Sequence, residues 1–493
     1  MTDPLEAEIC AWMESRTERV IDTACAHVFL GADAAWKMKR HVDLGYADFS
    51  TVERRHWALG RELEFNRTAA PDIYRAVRRV TREADGRLAM DGQGPTVEFL
   101  LEMRRFDDGA VLAADPTLVD GVMADALGRT IAGFHALAPL RPEGGWTALE
   151  FTVGSNAELL RDLTYRFGSD RIELMIALTQ AEFDRQKPLL KRRTTQGFAR
   201  RCHGDLHLAN ILVEDGKPIL FDCIEFNDLL SDLDVLYDLA FLLMDLDFRG
   251  RRDAAVRVLS AYLDEASRMF PDEIWEGLAA LPLMLSVRAG VRAHVAAHSK
   301  DDALAKAYIE AAIAHLSPAP PRLAAVGGLS GSGKSTFARR IAPALGAAPG
   351  AVVIRTDEVR KRLMNVPPSE RLPDSAYAGD LYPRAYDALI ENARTLLKAG
   401  HGVVLDATFI DPALRARAEQ LARDCGVPFD GVWLEGPLAL LEARVAGRTN
   451  DASDATVATL QDQLARHTSQ VRWRHVDVSG DVDAAAEAWL HGA

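Results

Sequence analysis

Gly328-Leu329-Ser330-Gly331-Ser332-Gly333-Lys334-Ser335-Thr336 fits the pattern G-x-x-x-x-G-K-[ST] in the setting that pattern requires. The short apolar run Leu323-Ala324-Ala325-Val326 precedes it and reads as a buried strand, and a helix is expected to open near Ser335. In such a loop Gly328, Gly331 and Gly333 let backbone N–H groups turn inward around a phosphate. Ser330, Ser332 and Thr336 complete the cradle, Lys334 reaches the β/γ oxygens, and the Ser335 hydroxyl suits Mg²⁺. Beyond the loop, strand and helix patterns alternate over 336–345, 351–355, 383–399, 402–406, 412–424 and 430–435. That alternation argues for a parallel sheet covered by helices on both faces.

Three further features suit phosphoryl transfer. Val352-Val353-Ile354-Arg355-Thr356-Asp357 is a strand pattern ending in an acid, so Asp357 is placed to orient or deprotonate an acceptor hydroxyl, or to cap the next helix. Gly402-Val403-Val404-Leu405-Asp406 ends likewise, and Asp406 suits Mg²⁺ or its water shell. Arg444 and Arg448 lie one helical turn apart and would clamp a transferring phosphate, or form a solvated basic face. The cluster Arg355, Arg360, Lys361 and Arg362 reads either as an anion site or as a solvated helix face.

Upstream, Ser317-Pro318-Ala319-Pro320-Pro321 bars a helix and favours a stiff extended connection. The expected division is a first domain over 1–316, a proline-rich linker over 317–322 and a second domain over 323–493. In the first, strand-like segments such as 26–30 and 97–103 mix with one helix, Arg54 to Thr68, up to about residue 115. From Asp120 to Leu316 the pattern is mainly helical, broken by a β-like stretch at 211–224, which gives an α+β lobe followed by a helical lobe.

That β-like stretch follows His203-Gly204-Asp205-Leu206-His207-Leu208-Ala209-Asn210, an H-x-D-L-x-x-x-N pattern. Asp205 and Asn210 share one loop, so the acid can face an acceptor hydroxyl while the amide carbonyl faces a metal. A turn at 214–217 folds the chain back and brings Asp222 to the same end as a second Mg²⁺ ligand. His203 and His207 lack a third ligand for zinc, and His203 is expected to hydrogen-bond beneath the loop. Cys202 and Cys223 read as small buried apolar residues. Trp36-Lys37-Met38-Lys39 alternates, so Lys37 and Lys39 leave one face of a strand while Trp36 and Met38 pack on the other. One lysine is expected to meet ATP phosphates, with Lys39 favoured over Lys37 and Glu62 favoured over Glu64 as its partner. An adenine-gripping hinge is expected near Met103.

Composition narrows the class. The chain has 493 residues, 48% hydrophobic, with 5 cysteines and a formal net charge of −14. Five cysteines make no disulfide framework, and no run of 18 uncharged apolar residues or basic leader is seen, so a soluble cytoplasmic protein is expected. Residues 321–493 hold 20 basic and 21 acidic residues, which leaves 38 and 51 before them. The negative balance therefore lies almost wholly in the first part, where it suits a neutral or cationic acceptor and disfavours nucleic acid.

The loop reading H-G-D-x-H-x-x-N resembles the aminoglycoside phosphotransferase family over about residues 20–300, with Leu208-Ala209 where that family often has Pro-Gly. The resemblance implies an α+β, protein-kinase-like, two-lobed domain, with Asp205 as catalytic base and Asn210 and Asp222 as metal ligands. It also matches Phe134-His135-Ala136-Leu137 to the helix before the loop, and Asp234 and Asp238 to the acidic helix after it. Residues 323–493 resemble the small P-loop kinases near gluconate kinase, polynucleotide 5′-kinase and zeta toxins. In that likeness Asp357 is the acceptor-side acid and Arg444 and Arg448 are lid arginines. The whole chain resembles bifunctional aminoglycoside phosphotransferase/ATP-binding proteins. ATP and Mg²⁺ are the implied cofactors and a small-molecule hydroxyl the implied acceptor. A regulatory ATP sensor and a polynucleotide 5′-hydroxyl kinase are the alternatives.

Overall fold

The computed structural model describes residues 3–43, 47–373, 381–447, 453–467 and 470–492. Two compact units emerge, Met1–Leu118 with Arg200–Leu233, and Val119–Ala199 with Asp234–Ala493. The proline-rich residues 317–322 carry neither helix nor strand and lie within the second of these units.

The first unit opens with α1 (Pro4–Glu14), then β1 (Arg19–Asp22), β2 (Ala26–Leu30), β3 (Ala34–Lys39), α2 (Val52–Ala69), β4 (Tyr74–Arg82), β5 (Leu88–Met90) and β6 (Thr96–Arg104). The strands form one antiparallel sheet in the order β1-β2-β3-β6-β4-β5. Helix α1 was not expected from the sequence, so among the described residues this region holds two α-helices rather than one. Its signal is local. The Asp3 carboxylate accepts from Leu5 N–H, Pro4 sits at the first helical position, and Ile9 and Met13 fall one turn apart. Both pack with Phe29, Met38, Val80 and Leu100 on one face of the sheet. Met38 and Trp36 therefore face that core, as the alternation in β3 requires, and the two lysines leave the other way. After β7 (Ala199–Arg201), the unit adds the hairpin of β8 (Ile211–Glu214) and β9 (Lys217–Leu220), then runs to β10 (Asp232–Asp234), where the chain passes into the second unit.

The second unit contains α3 (Gly121–Leu137), α4 (Trp146–Arg161), α5 (Thr164–Phe167), α6 (Ser169–Thr195), α7 (Val235–Phe248), α8 (Arg252–Ala266), α9 (Leu281–His298) and α10 (Asp302–His315). Asp272–His298 has the length and hydropathy of a membrane-crossing helix, yet 78% of its most apolar window is buried in the fold, the signature of a core helix.

The same unit continues as β11 (Leu323–Gly328), α11 (Lys334–Ile341), β12 (Val352–Arg355), α12 (Thr356–Leu363), α13 (Leu381–Lys398), β13 (Val403–Asp406), α14 (Pro412–Cys425), β14 (Phe429–Glu435), α15 (Leu438–Ala446), α16 (Val457–Arg466), β15 (Arg474–Asp477) and α17 (Val482–Leu490). The five strands are parallel, in the order β12-β13-β11-β14-β15. Their alternation with helices follows the sequence pattern closely. Helix α8 joins this layer directly. Val256 sits in the core around Val326, Phe337 and Val404, and the Ser260 hydroxyl accepts from Val353 N–H of edge strand β12 at 3.1 Å. Asp264 pairs with Arg362 at 2.7 Å, and Arg268 donates to the Val366 carbonyl at 3.0 Å. An otherwise open sheet edge is thereby covered.

Candidate active sites

The first unit gathers its candidate residues from three separate stretches. His203 fixes the loop. Its Nε2 lies 2.8 Å from the Phe221 carbonyl and so carries the proton, which leaves Nδ1 to accept from Asp205 N–H at 3.3 Å. It is fully buried, as the sequence led one to expect. Gly204 adopts φ 86°, and a Cβ there would stand 2.6 Å from the Leu230 carbonyl oxygen, so only glycine fits. The Asn210 amide donates to Asp205 Oδ2 and to the Asp205 carbonyl, both at 2.9 Å. This orients the carboxylate, and the amide oxygen of Asn210 is an acceptor of the kind that suits Mg²⁺.

The β8–β9 hairpin returns the chain to Asp222, which holds a left-handed backbone (φ 64°) unusual for a residue other than glycine. Neighbours over-determine it. The Tyr74 hydroxyl lies 3.0 Å from Asp222 N, and the Asn66 side chain accepts from Cys223 N–H at 2.8 Å. Burial pushes the Asp222 carboxyl up, but the charge and hydrogen bond of Lys37, with the Lys39 charge added, together outweigh it and hold the pKa below its usual value.

The two lysines divide differently from the expectation. Lys37 Nζ stands 2.7 Å from Glu62 and 2.7 Å from Asp222, so Lys37, not the favoured Lys39, faces the metal-ligand candidate. Lys39 is buried deeper and meets Glu225 at 2.6 Å and the second oxygen of Glu62 at 2.7 Å. Both leave the same face of β3, so alternation alone could not rank them. Met103 lies within β6, paired with Ala35 and Tyr74, and packs beside Leu101 and Leu212. Cys202 and Cys223 are buried, and neither is in a disulfide. Glu225, Tyr74 and Asn66 went unnoticed in the sequence because no motif spans their separations.

In the second unit, Gly328, Gly331 and Gly333 all take positive φ (145°, 85° and 81°), and Gly333 caps α11, whose first residue is Lys334. A Cβ on Gly331 would lie 2.4 Å from the Leu441 carbonyl oxygen. Lys334 Nζ donates to the Leu329 carbonyl at 2.9 Å, and the Ser330 N–H to Gln463 at 2.8 Å. Ser332 is buried under the loop, and Ser335 and Thr336 follow on the helix. The Ser335 hydroxyl is 2.5 Å from Asp406, and Arg355 Nε is 3.2 Å from the same oxygen. β13 lies between β11 and β12, which puts Asp406 beside the loop. A hydroxyl and a carboxylate at one point form an all-oxygen donor pair that fits Mg²⁺.

A cavity of about 660 Å³ opens here, lined by Lys334, Ser335, Asp357, Arg360, Asp406 and Arg466 among others. Asp357 is not the helix cap. Arg355 holds the cap position, and Asp357 instead pairs with Arg360 at 2.8 Å inside the cavity. The basic cluster is neither a solvated face nor an anion site of four. Arg355 meets Glu358 and Asp406, Lys361 meets Asp454, and Arg362 meets Asp264. Arg444 departs from its expected place. It does not line the cavity, and its Nη2 donates to the Gly480 carbonyl at 2.9 Å. Arg448 lies outside the described residues. Arg466, one turn after Asp462 on α16, occupies the cavity wall instead.

Residues 61–281 match the family described as phosphotransferase enzyme family, and residues 323–469 match the one described as AAA domain. An uncharacterised protein of Mycobacterium tuberculosis (strain ATCC 25618 / H37Rv) is 32% identical over 480 residues, covering 94% of this chain and 92% of that one. A gluconokinase from Sinorhizobium meliloti 1021 is similar at 25% identity over 35% of this chain and 91% of its own, with a TM-score of 0.25. A Plasmodium vivax ethanolamine kinase is similar at 11% identity over 60% of this chain and 80% of its own, with a TM-score of 0.38. The chain belongs to the family of that mycobacterial protein, ATP-dependent kinases that join an aminoglycoside-phosphotransferase-like domain to a P-loop kinase domain.

Proposed function

We propose that this kinase transfers the γ-phosphoryl group of ATP to a hydroxyl group of a small molecule, such as a sugar, a polyol or an aminoglycoside-like compound. The single observation that carries the reading is the Asp205–Asn210 pair on a loop pinned through His203 to the residue before Asp222. The second site, with Lys334, Ser335, Asp406 and Asp357, is read as a further phosphoryl-transfer site on the same chain.

At the first site, Asn210 holds one oxygen of Asp205 and so orients the carboxylate that would accept the acceptor's hydroxyl proton. As the acceptor oxygen bonds to the γ-phosphorus, the bond to the β–γ bridging oxygen breaks and ADP leaves with that electron pair. Lys37 contributes positive charge toward the phosphates from its seat between Glu62 and Asp222. Asn210 and Asp222 would hold Mg²⁺ in the first site, and Ser335 and Asp406 in the second. The ion supplies charge compensation for the phosphate oxygens. The acidic balance of residues 1–320 favours a neutral or cationic acceptor over nucleic acid or another polyanion, with the protein acting in the cytoplasm, off the membrane.

An ATP-consumption screen over sugars, aminoglycosides and oligonucleotides, run on the full chain and on Asp205→Ala and Lys334→Ala, tests this. Acceptor-stimulated turnover that Asp205→Ala abolishes supports the reading. Turnover that survives Asp205→Ala and is lost in Lys334→Ala overturns the first site as the engine, and preference for an oligonucleotide end overturns the acceptor class.

A further inference from the structure

Five ionisable side chains in the first unit form a chain of alternating charge, in the order Asp222, Lys37, Glu62, Lys39 and Glu225. Successive contacts are 2.7, 2.7, 2.7 and 2.6 Å. The chain starts and ends on one short loop, since Glu225 follows Asp222 by three residues. Between those ends it passes through β3 and α2, so three separate stretches of sequence are tied together. Glu62 is the midpoint and gives one carboxylate oxygen to each lysine.

Burial is graded along this chain. The side chains of Glu62, Lys39 and Glu225 are 0%, 3% and 3% exposed, Lys37 is 13% and Asp222 is 43%. Three carboxyl groups face two lysines, burial pushes the Glu225 carboxyl up from its usual range, and only the Asp222 end is open to solvent. The inner pair gains little as a source of stability, because desolvation of buried ions offsets most of their attraction. Its geometric effect is clear. With Lys39 in place, the second oxygen of Glu62 faces another ammonium at 2.7 Å in an ion pair, which opposes a two-oxygen grip on Lys37 away from Asp222. Lys39 also holds Glu225, which would otherwise be a buried carboxylate competing for Lys37.

We propose that Lys39 and Glu225 are positioning residues of the first site, setting how Lys37 is shared between Glu62 and Asp222 and anchoring the Asp222 loop to β3. This rests on the reading of that site given above. Neither residue touches substrate. Their effect is exerted through Lys37 and the Asp222 backbone, and so falls on nucleotide binding.

The test uses the full chain with Lys334→Ala silencing the P-loop, and compares Lys39→Met, Glu225→Gln, the double variant and Lys39→Arg. Binding of a fluorescent ATP analogue with Mg²⁺ is measured by equilibrium titration, with kcat and KM for ATP in parallel. Lys39→Met leaves Glu62 and Glu225 both competing for Lys37, so nucleotide affinity should fall about tenfold and KM should rise by a similar factor, with a smaller change in kcat. The double variant removes the surplus acid and should recover part of that loss, and Lys39→Arg should recover most of it. Glu225→Gln preserves shape and carries the test if Lys39→Met does not fold, with an expected affinity loss of roughly threefold. A fall in melting temperature with unchanged affinity and KM in folded variants overturns the proposal, as does a double variant as weak as the sum of the singles. Asp205→Ala in the same background separates the two claims. If it leaves turnover intact, the reading of the site fails; if it abolishes turnover while the Lys39 and Glu225 variants bind normally, only the positioning role fails.

Discussion

The two candidate sites hold a phosphate-directed lysine by opposite means. Lys334 is placed by backbone shape, with glycines at positive φ before it and its ammonium resting on a carbonyl of its own loop. Lys37 is placed by side-chain charge, between carboxylates drawn from a distant helix and a distant loop. The first design is local, so nine consecutive residues suffice to write it. The second is global, so it exists only once β3, α2 and the Asp222 loop have come together. Damage should follow the same division, with steric changes breaking the P-loop and charge changes breaking the first site.

The sharpest way to break the comparison is Asp205→Asn, which keeps the shape and removes the proton acceptor. First-site kcat should fall by roughly 10²–10⁴-fold while ATP binding persists, as read from initial rates in a Lys334→Ala background. Gly331→Val should do the converse. It adds about 1–3 kcal/mol of backbone strain, besides the overlap with the Leu441 carbonyl, so the second site should lose nucleotide affinity while first-site turnover is kept. Equilibrium binding to the two singly silenced chains checks this. Val256→Ala removes buried volume from the core shared by α8 and the parallel sheet, and should cost about 2 kcal/mol in chemical denaturation. Loss of sheet stability alone, with α3–α10 unaffected, would contradict the shared core.

A smaller effect separates the units by pH. His315 and His401 in the second unit are pushed down to about 4 by burial, from an ordinary value of 6.5. The unfolded chain then binds more protons between those values, so the second unit should lose stability as pH falls from about 6.5 to about 4 and level off below. His27 in the first unit is raised to about 9, chiefly by its hydrogen bond to Cys10, with Asp22 and Glu6 adding to it. Its contribution is complete below about 6.5 and is lost as pH rises through about 9. Thermal melts across pH 4–9 should show the second unit failing first in acid, and His401→Gln should flatten that dependence.

What was legible in the sequence follows the same local–global line. The strand–loop–helix of the P-loop and the alternation after it could be read because each signal is contiguous. Asp205, Asn210 and Asp222 could be read because a short hairpin bounds their separation. The ranking of Lys37 over Lys39 was hidden, since both project from one face and only the positions of Asp222 and Glu225 distinguish them. Strand β4 did not stand out among the strand-like segments because its sequence, YRAVRRVTR, carries arginines between its apolar positions. Arg444 was misplaced and Arg466 overlooked because helical spacing fixes which arginines share a face, but not which face meets the cavity.

The docking of α8 on β12 also sets a schedule for synthesis. The face of α8 that carries Val256 and Ser260 is made before the edge strand that covers it, and the whole stretch between Ala266 and Val352 must be translated in the interval. At about 5–20 residues per second that interval lasts several seconds. Through it, a nascent chain carries an apolar helix face whose partner has not yet left the ribosome. A chain that stops at the proline-rich residues would keep that face exposed, and the P-loop half made alone would expose the bare edge of β12.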